Sequence, residues 1–255
     1  MFLQYIVKYS PVPSGEEIVV ICNESGQTDS HSSNELYIVF SSTAAVYGMP
    51  EYLPVDENHP LNPVNFYGFT KLEIERILQW YGKLTGIRYA ALRYFNAAGY
   101  DLPGRIPGLE RNPANLLPIV METASGTRKY MQVFGDDYDT PDGTGIRDYI
   151  HVSDLASAHI KAMDYLMEEK DNLTLNLATG YGFSVLDVIN QARAVTGNEI
   201  SYEFVNRRLG DPAELVAVSK LAKKMINWEC ENSDIGAILE SLWAVYNQKK
   251  IWAPQ

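Results

Sequence analysis

Leu36-Tyr37-Ile38-Val39-Phe40-Ser41-Ser42-Thr43 and, beyond a Pro-rich loop, Tyr67-Gly68-Phe69-Thr70-Lys71 are the two pieces of sequence that decide the fold. The apolar start of the first piece predicts a fully buried strand, from its length and its β-branched and aromatic content. It breaks into three hydroxyls, Ser41, Ser42 and Thr43, where a parallel strand would deliver them to a cleft. The second piece heads a helical pattern in which Tyr67 and Lys71, four residues apart, share one face. A phenol titrates near about 10, and a neighbouring ammonium lowers that value by favouring the phenolate. A Tyr–Lys pair beside a hydroxyl therefore suits proton transfer to or from an alcohol. Tyr-x-x-x-Lys alone is a weak pattern. It recurs at Tyr246 and Lys250, in a polar tail with no hydroxyl-bearing strand end before it.

Working outward, Ile18 to Cys22 reads as a buried strand, but neither a Gly-x-Gly-x-x-Gly turn nor a helical pattern follows it. The polar run through Asn34 reads as loop or disorder. On the other side, Val64 to Leu84 keeps Ile74, Ile77, Leu78 and Tyr81 at helical spacing and stops at Gly86. Tyr89 to Phe95 is a second strand, ending at Asn96-Ala97-Ala98-Gly99. Strand, helix and strand of these lengths form a βαβ unit, which crosses over right-handed into a parallel sheet. After a loop from Asp101 to Pro113, a helix is predicted from Asn115 to Ser125 and a short strand at Met131 to Phe134. A turn-rich stretch from Gly135 to Gly145 leads to Ile146 to Val152, and Ser153-Asp154 is expected to cap the helix that carries Leu155, Ala158, Ala162 and Leu166. A strand at Thr174 to Ala178, a Ser184-capped helix, a strand at Ile200 to Val205 and helices from Ser219 and about Ser233 complete the pattern. The fold class expected from this pattern is α/β, a parallel sheet with a smaller mixed C-terminal lobe.

Composition narrows the function. At 255 residues the chain is long enough for a large core, and 46% hydrophobic with 21% charged residues is ordinary for a globular protein. A net charge of −11 argues against a nucleic-acid or anionic-membrane surface, which needs a basic face. A few local arginines can still hold an anionic small molecule. Cys22 and Cys230 form no disulfide framework or metal cluster, which suits a reducing cytosol, and the four histidines, His31, His59, His151 and His159, show no metal spacing. His151 and His159 are taken as structural. Met1 to Val7 has no signal-peptide character and no run approaches a membrane span.

Taken together, Ser41 to Gly48 after a strand, Tyr67 to Lys71, and Leu92-Arg93-Tyr94-Phe95-Asn96 resemble the extended short-chain dehydrogenase/reductase superfamily. Phe134 to Val152, with its Asp-Gly-Thr-Gly-Ile-Arg-Asp-Tyr-Ile-His core, is similar to UDP-glucose 4-epimerases in particular, as is Arg207 to Pro212. The resemblance runs from about Tyr37 to the C-terminus, and it implies a Rossmann-like parallel sheet, incomplete in its N-terminal half, with a smaller mixed C-terminal lobe: an atypical segment 1–35, the remaining dinucleotide-binding part 36–112 and a mainly substrate-binding lobe 113–255. It implies a cytoplasmic isomerase of galactose metabolism that interconverts UDP-glucose and UDP-galactose through a 4-keto sugar, with NAD as cofactor and no metal. Tyr67 is then the catalytic acid/base, Lys71 the ligand of the nicotinamide ribose, and Thr43 the partner of the sugar 4-hydroxyl. Ser41, Ser42, Tyr94 and Phe95 fall on the cofactor side. Asn96, Asn115, Leu116, Gln132 and Phe134 fall on the substrate side, with Arg147 and Arg208 on the diphosphate and Asp211 on the uridine ribose. The implied partners are a UDP-sugar and, for assembly, a second copy of the chain.

The sequence departs from the family before Leu36. The family opens with a strand, a Gly-x-x-Gly-x-x-Gly turn and a helix whose N-terminus receives the pyrophosphate. That turn is not found between Met1 and Leu36, so the sheet is expected to expose an apolar edge and the chain to prefer UDP over NAD⁺. Two alternatives stay open. One is a non-catalytic UDP-sugar-binding fragment; the other is an epimerase of another nucleotide sugar. Dehydratases of this fold place acidic residues next to the Ser/Thr, whereas Ala44 and Ala45 follow Thr43 here.

Overall fold

A computed structural model describes residues 6–7, 18–22, 36–105, 109–110, 112–168 and 171–247 of the chain. The expected loop character of the rest of 1–35, and Lys250, lie outside the described residues.

The chain builds β1 (Ile6–Val7), β2 (Ile18–Cys22), β3 (Leu36–Thr43), a 3-10 turn at Ala44–Val46, α1 (Phe66–Thr85), β4 (Arg88–Tyr94) and β5 (Asn96–Ala98). There follow α2 (Leu116–Ala124), β6 (Met131–Phe134), β7 (Ile146–Arg147), β8 (Tyr149–His151), α3 (Val152–Glu168) and β9 (Leu173–Leu177). The last elements are β10 (Phe183–Ser184), α4 (Val185–Thr196), β11 (Tyr202–Val205), β12 (Glu214–Leu215), α5 (Lys220–Ile226) and α6 (Ile235–Tyr246).

The main sheet has five strands in the order β1-β2-β3-β4-β9. Strands β3, β4 and β9 are parallel, as the βαβ pattern requires. On β3 the flank expected to stand open is covered. β2 pairs antiparallel with β3, from Ile18 opposite Phe40 to Cys22 opposite Leu36, and so occupies the hydrogen-bonding groups of that flank. Its Ile-Val-Val-Ile run has the β-branched character that favours such pairing.

Successive side chains of a strand point to opposite faces, and β3 uses both. Tyr37 and Val39 join the cluster that holds Leu155, Ala158 and Leu166 of α3. Ile38 and Phe40 pack instead with Ile74 and Leu78 of α1. The helix α1 starts on an Asn65 cap, whose Oδ1 accepts from Gly68 N at 2.8 Å, and stops at Gly86 with φ 75°. A separate core joins α2, α4 and α6 through Leu117, Val120, Met121, Val188, Ile189, Ile238, Leu239 and Leu242. Pro118 is accommodated in the first turn of α2, where a missing N–H loses no helical bond. Tyr246, the tyrosine of the second Tyr-x-x-x-Lys, is buried in this core and so serves packing.

The stretch 146–152 holds two short strands, β7 and β8, which are separated at Asp148 and belong to different sheets. Two local expectations are corrected. Ser153 and Asp154 do not precede α3, because the helix already begins at Val152. The buried Asp154 carboxylate is taken up by Asn232 N at 2.9 Å and Ser233 Oγ at 2.5 Å, which anchors the segment before α6. The strand predicted from Ile200 begins at Tyr202, with Ile200 kept as core.

Candidate functional site

Because β3 and β4 run parallel, their C-terminal ends arrive together, with Thr43 opposite Tyr94. Phe95 and Asn96 follow directly. Helix α1 starts against the same end. A Cβ built on Gly68 would lie 2.4 Å from the Ala45 carbonyl oxygen, so only glycine lets the first helical turn sit on the 3-10 turn. Tyr67 is 48% exposed there, while Lys71 is 3% exposed. The Lys71 ammonium donates to the Ser41 carbonyl at 3.1 Å and lies 5.6 Å from the Tyr67 ring centroid. It also sits 5.1 Å from the centre of the Phe40 ring.

The hydroxyls of β3 divide by strand alternation. Thr43 Oγ1 accepts from Ala45 N at 3.2 Å and caps the 3-10 turn. Ser41 Oγ meets His159 Nε2 at 3.0 Å, with the other ring nitrogen 2.8 Å from the Leu155 carbonyl. Since Nδ1 faces an acceptor, it carries the proton and Nε2 accepts from Ser41. Burial holds His159 below the usual histidine range, which keeps the ring neutral. His159 thus has a structural task at this strand end. Ser42 points the other way, and its hydroxyl donates to Glu75 Oε1 at 2.5 Å. Its side chain belongs to the interior, so only its backbone is left for any cofactor contact.

Beneath the strand ends lies a polar network that the sequence reading missed. Glu75 Oε1 accepts from Arg93 Nε at 2.9 Å and Oε2 from Arg93 Nη2 at 2.5 Å, with the side chains 1% and 4% exposed. Arg93 Nη1 donates to Tyr47 Oη at 3.1 Å, and Tyr47 donates to Asn176 Oδ1 at 2.6 Å. Asn176 N donates in turn to Glu57 Oε1 at 2.8 Å. Burial raises the Tyr47 phenol and the Glu57 carboxyl above their ordinary values. The network ties α1, β3, β4 and β9 to the loop after the 3-10 turn.

On the other side of the β4 end opens a cleft of about 540 Å³. Tyr94, Phe95, Asn96, Asn115, Leu116, Gln132, Phe134, Arg147, Arg208 and Asp211 all line it, although they come from widely separated stretches of chain. Thr43, Tyr67 and Lys71 are not among its lining residues; Tyr94, paired with Thr43 across the sheet, connects the two groups. Asn96 is fixed by its backbone N and its Nδ2, which donate to the Asp148 carbonyl at 3.2 and 2.7 Å. Asn115 is the N-cap residue of α2 but spends no side-chain hydrogen bond on capping. Gln132 Nε2 donates to Glu203 at 3.3 Å. The Arg208 guanidinium lies 4.0 Å from the Phe134 ring centroid. Arg147 is ion-paired with Asp211 and donates from Nη1 to the Ile146 carbonyl at 2.7 Å. Two further lining residues, Tyr138 and Tyr149, escaped the sequence reading. So did Asp148, whose carboxyl burial pushes up to about 6 against the opposing hydrogen bonds of Thr179 and Gly180. Among the described residues no group of His, Cys, Asp and Glu is arranged to hold a metal ion, and no helix is long and apolar enough to cross a membrane.

This arrangement has close counterparts. Residues 23–178 match the family described as "NAD dependent epimerase/dehydratase family". The chain is 46% identical over 209 residues to UDP-glucose 4-epimerase of Streptococcus mutans, covering 82% of this chain and 62% of that protein. It is 45% identical over 207 residues to UDP-glucose 4-epimerase of Lacticaseibacillus casei, again covering 62% of the relative. The chain therefore spans less than two thirds of these relatives. Among solved structures, UDP-glucose 4-epimerase from Brucella ovis in complex with NAD superposes with a TM-score of 0.79 at 41% identity, covering 82% of this chain and 65% of the other. The enzyme from Bifidobacterium longum, in complex with NAD⁺ and UDP, gives 0.77 at 41% identity, covering 84% and 64%. The chain belongs to the NAD dependent epimerase/dehydratase family.

Proposed function

We propose that the chain works as an NAD-dependent UDP-hexose 4-epimerase that interconverts UDP-glucose and UDP-galactose through a 4-keto sugar, in the reducing cytosol that its two cysteines suit. The observation that carries this is the Tyr67–Lys71 pair at the end of β3, set beside a cleft lined by two arginines and an aromatic ring. Arginine forks match phosphate oxygens, so Arg147 and Arg208 take the diphosphate, with Phe134 and Leu116 against the nucleoside and Asp211 accepting from ribose hydroxyls. Asn96, immobilised by Asp148, and Thr43 hold the hexose.

The residues present fit the nicotinamide end of NAD. A buried ammonium is held at the Ser41 carbonyl beside a half-exposed phenol, with Tyr94 and Phe95 at the neighbouring strand end. When bound, NAD supplies reversible hydride acceptance at carbon. Tyr67 moves the proton at the 4-hydroxyl, and Lys71 orients the ribose and stabilises the phenolate. No metal is called on, because Tyr67 handles the proton.

The test is calorimetric titration of UDP and NAD⁺ into the purified protein, together with an assay on UDP-galactose. Arg208→Ala is expected to weaken UDP binding by about 1.5–3 kcal/mol, the range for hydrogen bonds to charged groups. Equal affinity in parent and variant would move Arg208 out of the site. Absence of UDP binding by the parent would sink the reading altogether.

For assembly, the reading includes a homodimer through α1. Phe66, Phe69, Ile77, Trp80, Tyr81 and Leu84 are all exposed, and at 100° per residue they form one stripe opposite the buried Gly68, Leu72 and Glu75. A contiguous apolar face on a surface helix marks an interaction site. Trp80→Glu is expected to convert the protein to a monomer in sedimentation velocity. An unchanged sedimentation coefficient would rule out this face.

A further inference from the structure

One hydroxyl in the cleft has no partner among the described residues. Tyr138 lines the cleft, is 6% exposed, and its Oη is buried with no hydrogen-bond partner among the described residues. Its position is over-determined. The Arg207 guanidinium stacks 4.2 Å from its ring centroid and is itself ion-paired with Asp137 at 2.5 Å. Its backbone N donates to the Gly143 carbonyl at 2.9 Å. The space beside the ring exists only because residue 135 is glycine: a Cβ there would fall 2.6 Å from Tyr138 Cε2, and its φ of 85° is one that other residues rarely adopt. A phenylalanine would make the same packing contacts without burying an unsatisfied hydroxyl. Native proteins seldom keep such a group without a use for it, because its desolvation is never repaid.

The charged groups around Tyr138 are Asp211, Arg147, Arg207 and Asp137. Burial first, and Asp211 next, raise its phenol above the ordinary value, so the hydroxyl keeps its proton and acts as a donor. A fixed donor in a ligand cleft that Arg147 and Arg208 also line calls for an anionic oxygen as acceptor. We propose that Tyr138 Oη donates to the diphosphate of the bound nucleotide and forms, with Arg147 and Arg208, a three-point cradle for it. The assignment rests on the UDP-binding reading given above and adds a contact that it does not contain.

Tyr138→Phe tests it, because this change removes one oxygen and leaves the ring under Arg207. The ligand-free variant is expected to melt at the parent's temperature or above it, since a buried orphan has been deleted. Its Kd for UDP by calorimetry is expected to rise about tenfold or more, the weight of a hydrogen bond to a charged group. Binding of uridine, which has no phosphate, is expected to stay as in the parent. Unchanged UDP affinity overturns the assignment. So does a lower melting temperature of the ligand-free variant, which would show the hydroxyl already satisfied within the fold. Equal losses for UDP and uridine would place the contact on the nucleoside and equally defeat it. If the parent binds no UDP at all, the underlying reading fails and the assignment falls with it, an outcome visible before any variant is made.

Discussion

Tyr67→Phe is expected to lower turnover of UDP-galactose by at least about 100-fold, the lower end of what general acid–base catalysis contributes. The change deletes one oxygen from a ring that is 48% exposed and keeps the ring itself, so the melting temperature is expected to stay close to the parent's. Lys71 stays held at the Ser41 carbonyl in the variant. The loss therefore reports on the proton and not on the architecture around it. UDP affinity, which the proposed reading places in the cleft beyond β4, is expected to match the parent. Steady-state turnover near the parent value would remove Tyr67 from the chemistry.

The largest expected effect on stability comes from Arg93→Met. The variant leaves the Glu75 carboxylate in the interior with no counter-charge, and breaking a buried pair in this way costs about 3–5 kcal/mol. Chemical denaturation should show the midpoint fall without a comparable change in slope. Glu75→Leu combined with Arg93→Met is expected to recover most of that loss, because the same principle makes a well-packed apolar replacement close to neutral. A single variant as stable as the parent would mean that water or Tyr47 shields Glu75, and the pair would then not be the anchor described here.

How much of this was legible in advance depended on whether a signal was local. The βαβ unit of β3, α1 and β4 could be read because its alternation, its helical spacing and its Gly86 stop all lie within one stretch. The antiparallel placing of β2 could not, since an apolar run states that a strand is buried and says nothing of its direction. Arg147 and Asp211 were both picked out, but nothing in residues 64 positions apart announces that they pair. Asp154 read as a cap because Ser-Asp before an amphipathic run is the usual signature of one; tertiary partners at Asn232 and Ser233 claimed it instead. The Glu75–Arg93 pair did leave a trace. Each is a charge on a face whose other members, Leu72 and Leu78 or Tyr89 and Ala91, are apolar, and opposite charges at two such positions predict each other.

Gly68 sets a limit on how this protein can be re-engineered. Where a helix is spaced from its neighbour by side chains, a designer can widen or narrow the gap by swapping large residues for small ones. Here the spacing between α1 and the end of β3 is backbone against backbone, with a Cβ at position 68 already 2.4 Å from the Ala45 oxygen. That contact offers nothing to trim and no room to add. On the proposed reading, latitude for a bulkier or differently substituted ligand lies instead among the lining residues of the cleft, such as Leu116 and Gln132, to which Gly68 does not belong. A library meant to change what the protein accepts belongs on those residues, and one built around residue 68 would return mainly misfolded members.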